Sequence, residues 1–94
     1  MTPIHPEPLV EFARALVKSQ SLSGEEKEVA QRVGDEMRAL HFDSVEMDAY
    51  GNVIGVIQGG QPGPTILLDA HTDTVGISPG VPWSVPPFGG EIRN

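Results

Sequence analysis

A histidine and an aspartate stand two residues apart in the segment Ala70-His71-Thr72-Asp73-Thr74-Val75. Side chains at i and i+2 share one face of an extended chain. His71 can therefore ligate a metal through one ring nitrogen while Asp73 accepts a hydrogen bond from the other, fixing tautomer and ring orientation. The same spacing also serves a purely structural pair in which the two side chains satisfy each other at a strand end. Spacing alone leaves both open. The chain has no cysteine, so any metal must be held by imidazole and carboxylate. His5 and His41 have no acidic or imidazole partner at ligand spacing and read as surface or boundary residues. Asp69, just before the pair, shares the face of His71 only in a regular strand, and its expected role is structural or supporting.

The elements that position this pair follow from periodicity. Leu9, Phe12, Ala13, Leu16 and Val17 recur every three or four residues between Glu7 and Val17, the stripe of an amphipathic helix. Pro6 and Pro8 are tolerable only near its first turn. Ser19-Gln20-Ser21-Leu22-Ser23 breaks the pattern, and Ser23 with Glu26 forms a capping-box signature for a second helix buried along Val29, Val33, Met37 and Leu40. The acids Glu25, Glu26 and Glu28 fit a solvated helix start, where the dipole favours negative charge. After Leu40 the pattern becomes short β-branched runs around Phe42, Val45, Met47 and then Val53, Ile54, Val56, Ile57, which predicts two strands joined by a turn. Tyr50-Gly51-Asn52 suits that turn.

Gly59 to Pro64 is a loop by composition, without the lysine and helix start of a phosphate-cradling motif. Thr65-Ile66-Leu67-Leu68-Asp69-Ala70 is nearly continuous in apolar character, as in a strand buried on both faces of a parallel or mixed sheet. It delivers His71 and Asp73 at its end, where open α/β sheets place their ligands. From Gly76 to Gly90, four prolines and four glycines forbid regular structure. Trp83 and Phe88 read as packing anchors for this loop. Glu91-Ile92-Arg93 has the character of another strand start.

Composition narrows the function classes. Ninety-four residues allow one small domain with a modest core. A net charge of −7, from thirteen acids and six bases, argues against nucleic-acid or anionic-membrane partners, which require a basic patch. No signal-peptide pattern or membrane-length apolar run occurs, so a cytoplasmic protein is expected.

The block Leu67-Leu68-Asp69-Ala70-His71-Thr72-Asp73-Thr74-Val75 lies between Asp48-Ala49-Tyr50-Gly51-Asn52-Val53-Ile54-Gly55-Val56-Ile57-Gln58-Gly59 and Trp83-Ser84-Val85-Pro86-Pro87-Phe88-Gly89-Gly90. Together these segments resemble the metallopeptidase family M20 of aminoacylases, acetylornithine deacetylase, succinyl-diaminopimelate desuccinylase and glutamate-releasing carboxypeptidases. The similarity runs from the first helix to Arg93. It implies that His71 is a ligand of the first metal and Asp73 the catalytic aspartate that clamps its imidazole. It implies an α/β fold in which two N-terminal helices precede strands of a mixed sheet, the first part of a zinc-peptidase-like catalytic domain.

The resemblance further implies a centre of two divalent ions, zinc or cobalt, that activates water and polarises the scissile carbonyl of a small N-acyl amino acid or peptide. A homodimeric full-length protein belongs to the same expectation. On this view residues 1–94 are the N-terminal portion of a catalytic domain. The bridging aspartate, the glutamate base and the other ligands would lie beyond Asn94, and the lid or dimerisation domain would be absent. The 94 residues alone are expected to be inactive and marginally folded, with an exposed strand edge. Two alternatives stand beside this one: a non-catalytic interaction or assembly module retaining the first third of the fold, and an unrelated domain in which His71 and Asp73 only satisfy each other.

Overall fold

A computed structural model describes residues 3–21, 24–77, 80 and 82–93. Two helices precede a β-hairpin: α1 (Pro6–Lys18), α2 (Lys27–Ala39), β1 (Ser44–Met47) and β2 (Val53–Val56). Pro6 opens α1, where a missing N–H costs nothing, and His5 is its N-cap residue. Glu7 sits in the first turn and Lys18 in the last, each matching the helix dipole. The expected apolar stripe is present, yet no residue of α1 is buried. Phe12 and Leu16 are half-buried, while Leu9, Ala13 and Val17 are exposed.

The second helix carries the core. Val29 and Ala30 are buried, and Gly34 lies on the same face. Val33 and Met37 are half-buried, but Leu40 is 63% exposed, which corrects the expectation for the fourth position of the stripe. The reason is the way the helix ends. His41 turns left-handed with φ 62°, its N–H donates to Arg38 O, and the Phe42 N–H donates to Met37 O at 3.1 Å. This pair of bonds is the Schellman arrangement, in which the residue beyond the left-handed one packs back on the last turn. Phe42 therefore takes the inward position that helical periodicity had assigned to Leu40. Ser23, the expected N-cap, lies outside the described residues; α2 begins four residues later, after Glu26.

The hairpin is antiparallel, with Ser44 opposite Val56 and Met47 opposite Val53. Its loop is closed by Asp48, whose N–H donates to Asn52 O and whose carbonyl accepts from the Gly51 N–H. Gly51 has φ 86°, which a side chain would strain. The Asp48 carboxylate accepts from the backbone N–H groups of Tyr50 and Asn52 and from the Asn52 side-chain amide, each at 2.9 Å. These bonds hold the Asp48 carboxyl below its ordinary value of 3.8, the Asn52 side-chain amide contributing most.

Helix α2 lies against the hairpin and α1 against α2. Between the helices, the Arg32 guanidinium sits 5.1 Å from the centroid of the Phe12 ring. Gly55 allows the closest approach of sheet and helix: a Cβ there would fall 2.6 Å from Met37 Sδ and 2.7 Å from the Phe42 ring.

The run Thr65–Ala70 does not form the buried strand that its composition predicts. The one sheet among the described residues is the two-stranded antiparallel pair, not a mixed sheet. Ile66, Leu67 and Leu68 are 81%, 85% and 91% exposed. Apolar composition favours a strand, but a strand is held by a neighbour's backbone and, in a central position, by layers on both faces. Here the helices and the hairpin pack on one another and leave this run uncovered.

Candidate metal centre

At the end of that run the chain brings His71 and Asp73 together. His71 Nδ1 lies 3.1 Å from Asp73 Oδ1 and 3.1 Å from the Asp73 backbone carbonyl. A carbonyl and an ionised carboxylate only accept, so this geometry favours the ring form with its proton on Nδ1. In the neutral ring, Nε2 then holds the lone pair, as a metal-ligating nitrogen requires. The His71 side chain is 86% exposed and that of Asp73 40%. The carbonyl of Asp73 as a second acceptor was not legible from residue types, because it depends on local backbone direction.

The pair is placed by contacts distant in sequence. Ser21, in the connection between α1 and α2, is 2% exposed. Its hydroxyl donates to the carbonyl of Thr72 at 2.8 Å. In return the Thr74 N–H donates to the carbonyl of Ser21 at 2.7 Å. One bond falls between His71 and Asp73 along the chain and the other just after Asp73. In the sequence Ser21 reads only as part of a helix break, and nothing in its local sequence signals a partner 51 residues away.

The following loop is tied to α1. Arg14 Nε donates to the carbonyl of Gly90 at 2.6 Å, and Gly90 has φ 68°. Trp83, Pro87 and Phe88 line a groove of about 350 Å³ together with Leu16, Thr74 and Ile77. Trp83 remains 55% exposed while Phe88 is half-buried. His5 and His41 are exposed at helix boundaries, and among the described residues neither joins a possible metal-binding group.

Among the described residues no three histidine, aspartate or glutamate side chains gather into a possible metal cage. Asp69 is exposed and joins no such group. The donor chemistry of His71, an imidazole whose Nδ1 faces two acceptors, fits one ligand of a divalent metal. It does not make a complete centre, because such ions take four or more ligands. No described helix is long and apolar enough to cross a membrane.

No protein-family profile matches the chain, and no solved structure matches it. The uncharacterized protein YgeY of Escherichia coli K12 is 40% identical over 82 residues, which cover 87% of this chain and 20% of that one. A succinyl-diaminopimelate desuccinylase of Alkalilimnicola ehrlichii is 34% identical over 80 residues, 84% of this chain and 21% of the enzyme. A peptidase T-like protein of Rhizobium meliloti is 43% identical over 79 residues, 79% of this chain and 19% of that protein.

Two helices, a hairpin and a His-x-Asp segment thus accompany kinship to hydrolases that include desuccinylases and peptidases. Over about 85% of its length the chain is homologous to enzymes of the M20 metallopeptidase type. It spans about a fifth of the length of the curated relatives it matches.

Proposed function

We propose that this chain forms the first segment of the catalytic domain of a metal-dependent hydrolase that cleaves an amide bond in a small N-acyl amino acid or peptide. The observation that carries this reading is the His71–Asp73 pair: two acceptors hold Nδ1 at 3.1 Å and leave the other ring nitrogen for a ligand. Kinship to a desuccinylase and to a probable carboxypeptidase of Aspergillus clavatus supports the substrate class. In this role His71 binds one of two divalent ions, zinc or cobalt, through Nε2. Asp73 orients the imidazole and stabilises charge on it. The metal, when bound, supplies an activated water and a Lewis acid for the carbonyl. The remaining ligands and the general base come from the rest of the domain.

The exposed run Thr65–Ala70 fits the same proposal. Its apolar side chains suit a strand that enters a mixed sheet once the rest of the catalytic domain is present. Dimerisation of the whole enzyme is part of the proposal, since it too would depend on the other four-fifths of such a protein.

A segment exchange tests the reading. The matched residues of the Alkalilimnicola desuccinylase are replaced by those of this chain, and metal content and desuccinylation are measured. We expect a loaded, active hybrid, and His71→Ala in that hybrid should lose one metal equivalent with its activity. Unchanged metal content in the His71→Ala hybrid would sink the ligand assignment.

A further inference from the structure

We infer that Ser21 is a positioning residue, which sets the direction of the His71 ring by clamping the backbone on both sides of Asp73. This inference rests on the hydrolase reading for its functional meaning, but its geometry stands on two hydrogen bonds. The Ser21 hydroxyl holds the Thr72 carbonyl at 2.8 Å, and the Ser21 carbonyl holds the Thr74 N–H at 2.7 Å. Asp73 lies between the two anchored residues, so its carbonyl and carboxylate, the two acceptors around His71 Nδ1, are carried by a peptide fixed at each end.

The clamp ties a segment outside the hairpin to the helix connection. Residues 71–73 belong to no sheet, and the apolar run before them is exposed. An imidazole that is 86% exposed has no packing to define its orientation. Ser21, at 2% exposure, is by contrast anchored beside the end of α1 and close before α2. The placement of the metal-facing nitrogen thus depends on Ser21 in the helix connection, through one side-chain bond and one backbone bond.

Residue type matters for the side-chain bond alone. Alanine at position 21 keeps the Ser21 carbonyl but removes the donor to Thr72, leaving a carbonyl to find water or lose its partner. Threonine keeps the donor. A residue needed only for folding would alter stability throughout; a positioning residue alters the His71 segment selectively.

The test uses the full 94-residue chain, without metal, compared with S21A and S21T. Imidazole ¹⁵N shifts at about pH 8.5, two units above the usual histidine value, report which nitrogen of His71 carries the proton. Amide exchange reports the Thr74 bond. In the unsubstituted chain His71 should be mainly Nδ1-protonated and the Thr74 amide protected. S21A should move His71 toward the Nε2–H form and speed Thr74 exchange roughly tenfold, on the scale of one lost hydrogen bond, with α2 amides unchanged. S21T should keep the original tautomer.

An unchanged tautomer and unchanged Thr74 protection in S21A would overturn the inference. So would equal acceleration of α2 and Thr74 amides in both variants, which would assign Ser21 to the fold as a whole. Neither readout involves metal or turnover, so failure here is distinct from failure of the hydrolase reading, which the His71→Ala hybrid decides.

Discussion

His71 Nδ1 is held 3.1 Å from a carboxylate oxygen of Asp73 and 3.1 Å from the carbonyl of the same residue. One residue thus supplies two acceptors to one ring nitrogen, the first charged when ionised and the second always neutral. Removing the charge while keeping the backbone separates their contributions. Asp73→Asn in the desuccinylase hybrid should retain metal and lose turnover by about 10- to 100-fold, the usual effect of altering a group that orients a metal-bound histidine. Metal analysis alongside steady-state kinetics checks this. Full activity would remove Asp73 from the catalytic residues.

The contact of hairpin and helix predicts a stability effect away from the site. A Cβ at position 55 would meet Met37 Sδ at 2.6 Å and Phe42 at 2.7 Å. Met37 is flexible and can yield in part, but the Phe42 ring is fixed by the end of α2. Gly55→Ala should destabilise the chain by about 1–3 kcal/mol, as overpacking commonly does. Urea unfolding followed by far-UV circular dichroism would register the lower midpoint.

Asp48 predicts a pH dependence confined to the hairpin loop. Its carboxyl is held below 3.8 in the folded chain, chiefly by the Asn52 side chain and then by the Asn52 N–H. The sign follows from linkage: a depressed folded value stabilises the loop fully above the unfolded value, and that contribution is lost as pH falls through the folded one. Between neutral pH and pH 4.5 the Tyr50 and Asn52 amides should stay protected; below 3.8 their exchange, corrected for intrinsic rates, should quicken. Asp48→Ala should show the fast exchange at every pH.

The uncovered apolar run predicts self-association. Ile66, Leu67 and Leu68 are among the most exposed large side chains described, and contiguous exposed apolar surface promotes association. Leu67→Lys in the 94-residue chain should reduce light scattering at high concentration. It should change the thermal midpoint little, because an 85% exposed side chain contributes little to the core. A large drop in that midpoint would show that the run is packed in solution.

Local chemistry made much of this protein legible in its sequence. Apolar spacing defined both helices, Pro6 marked the start of α1, and Gly51-Asn52 between β-branched runs marked the hairpin. Those features depend on neighbours within a few residues, where period, turn conformation and capping act directly. The His-x-Asp spacing likewise contained the 3.1 Å contact, because both partners sit on one short stretch of backbone. Tertiary structure decided what depends on distant partners. Leu40 gave way to Phe42 because the left-handed turn at His41 re-aimed the chain. The apolar run before His71 lacks its sheet because a strand exists only beside another strand. The link from Ser21 to Thr72 and Thr74 joins segments that only folding brings together. A hydroxyl's partner across 51 residues is set by the packed backbone and is not encoded in the residues around it.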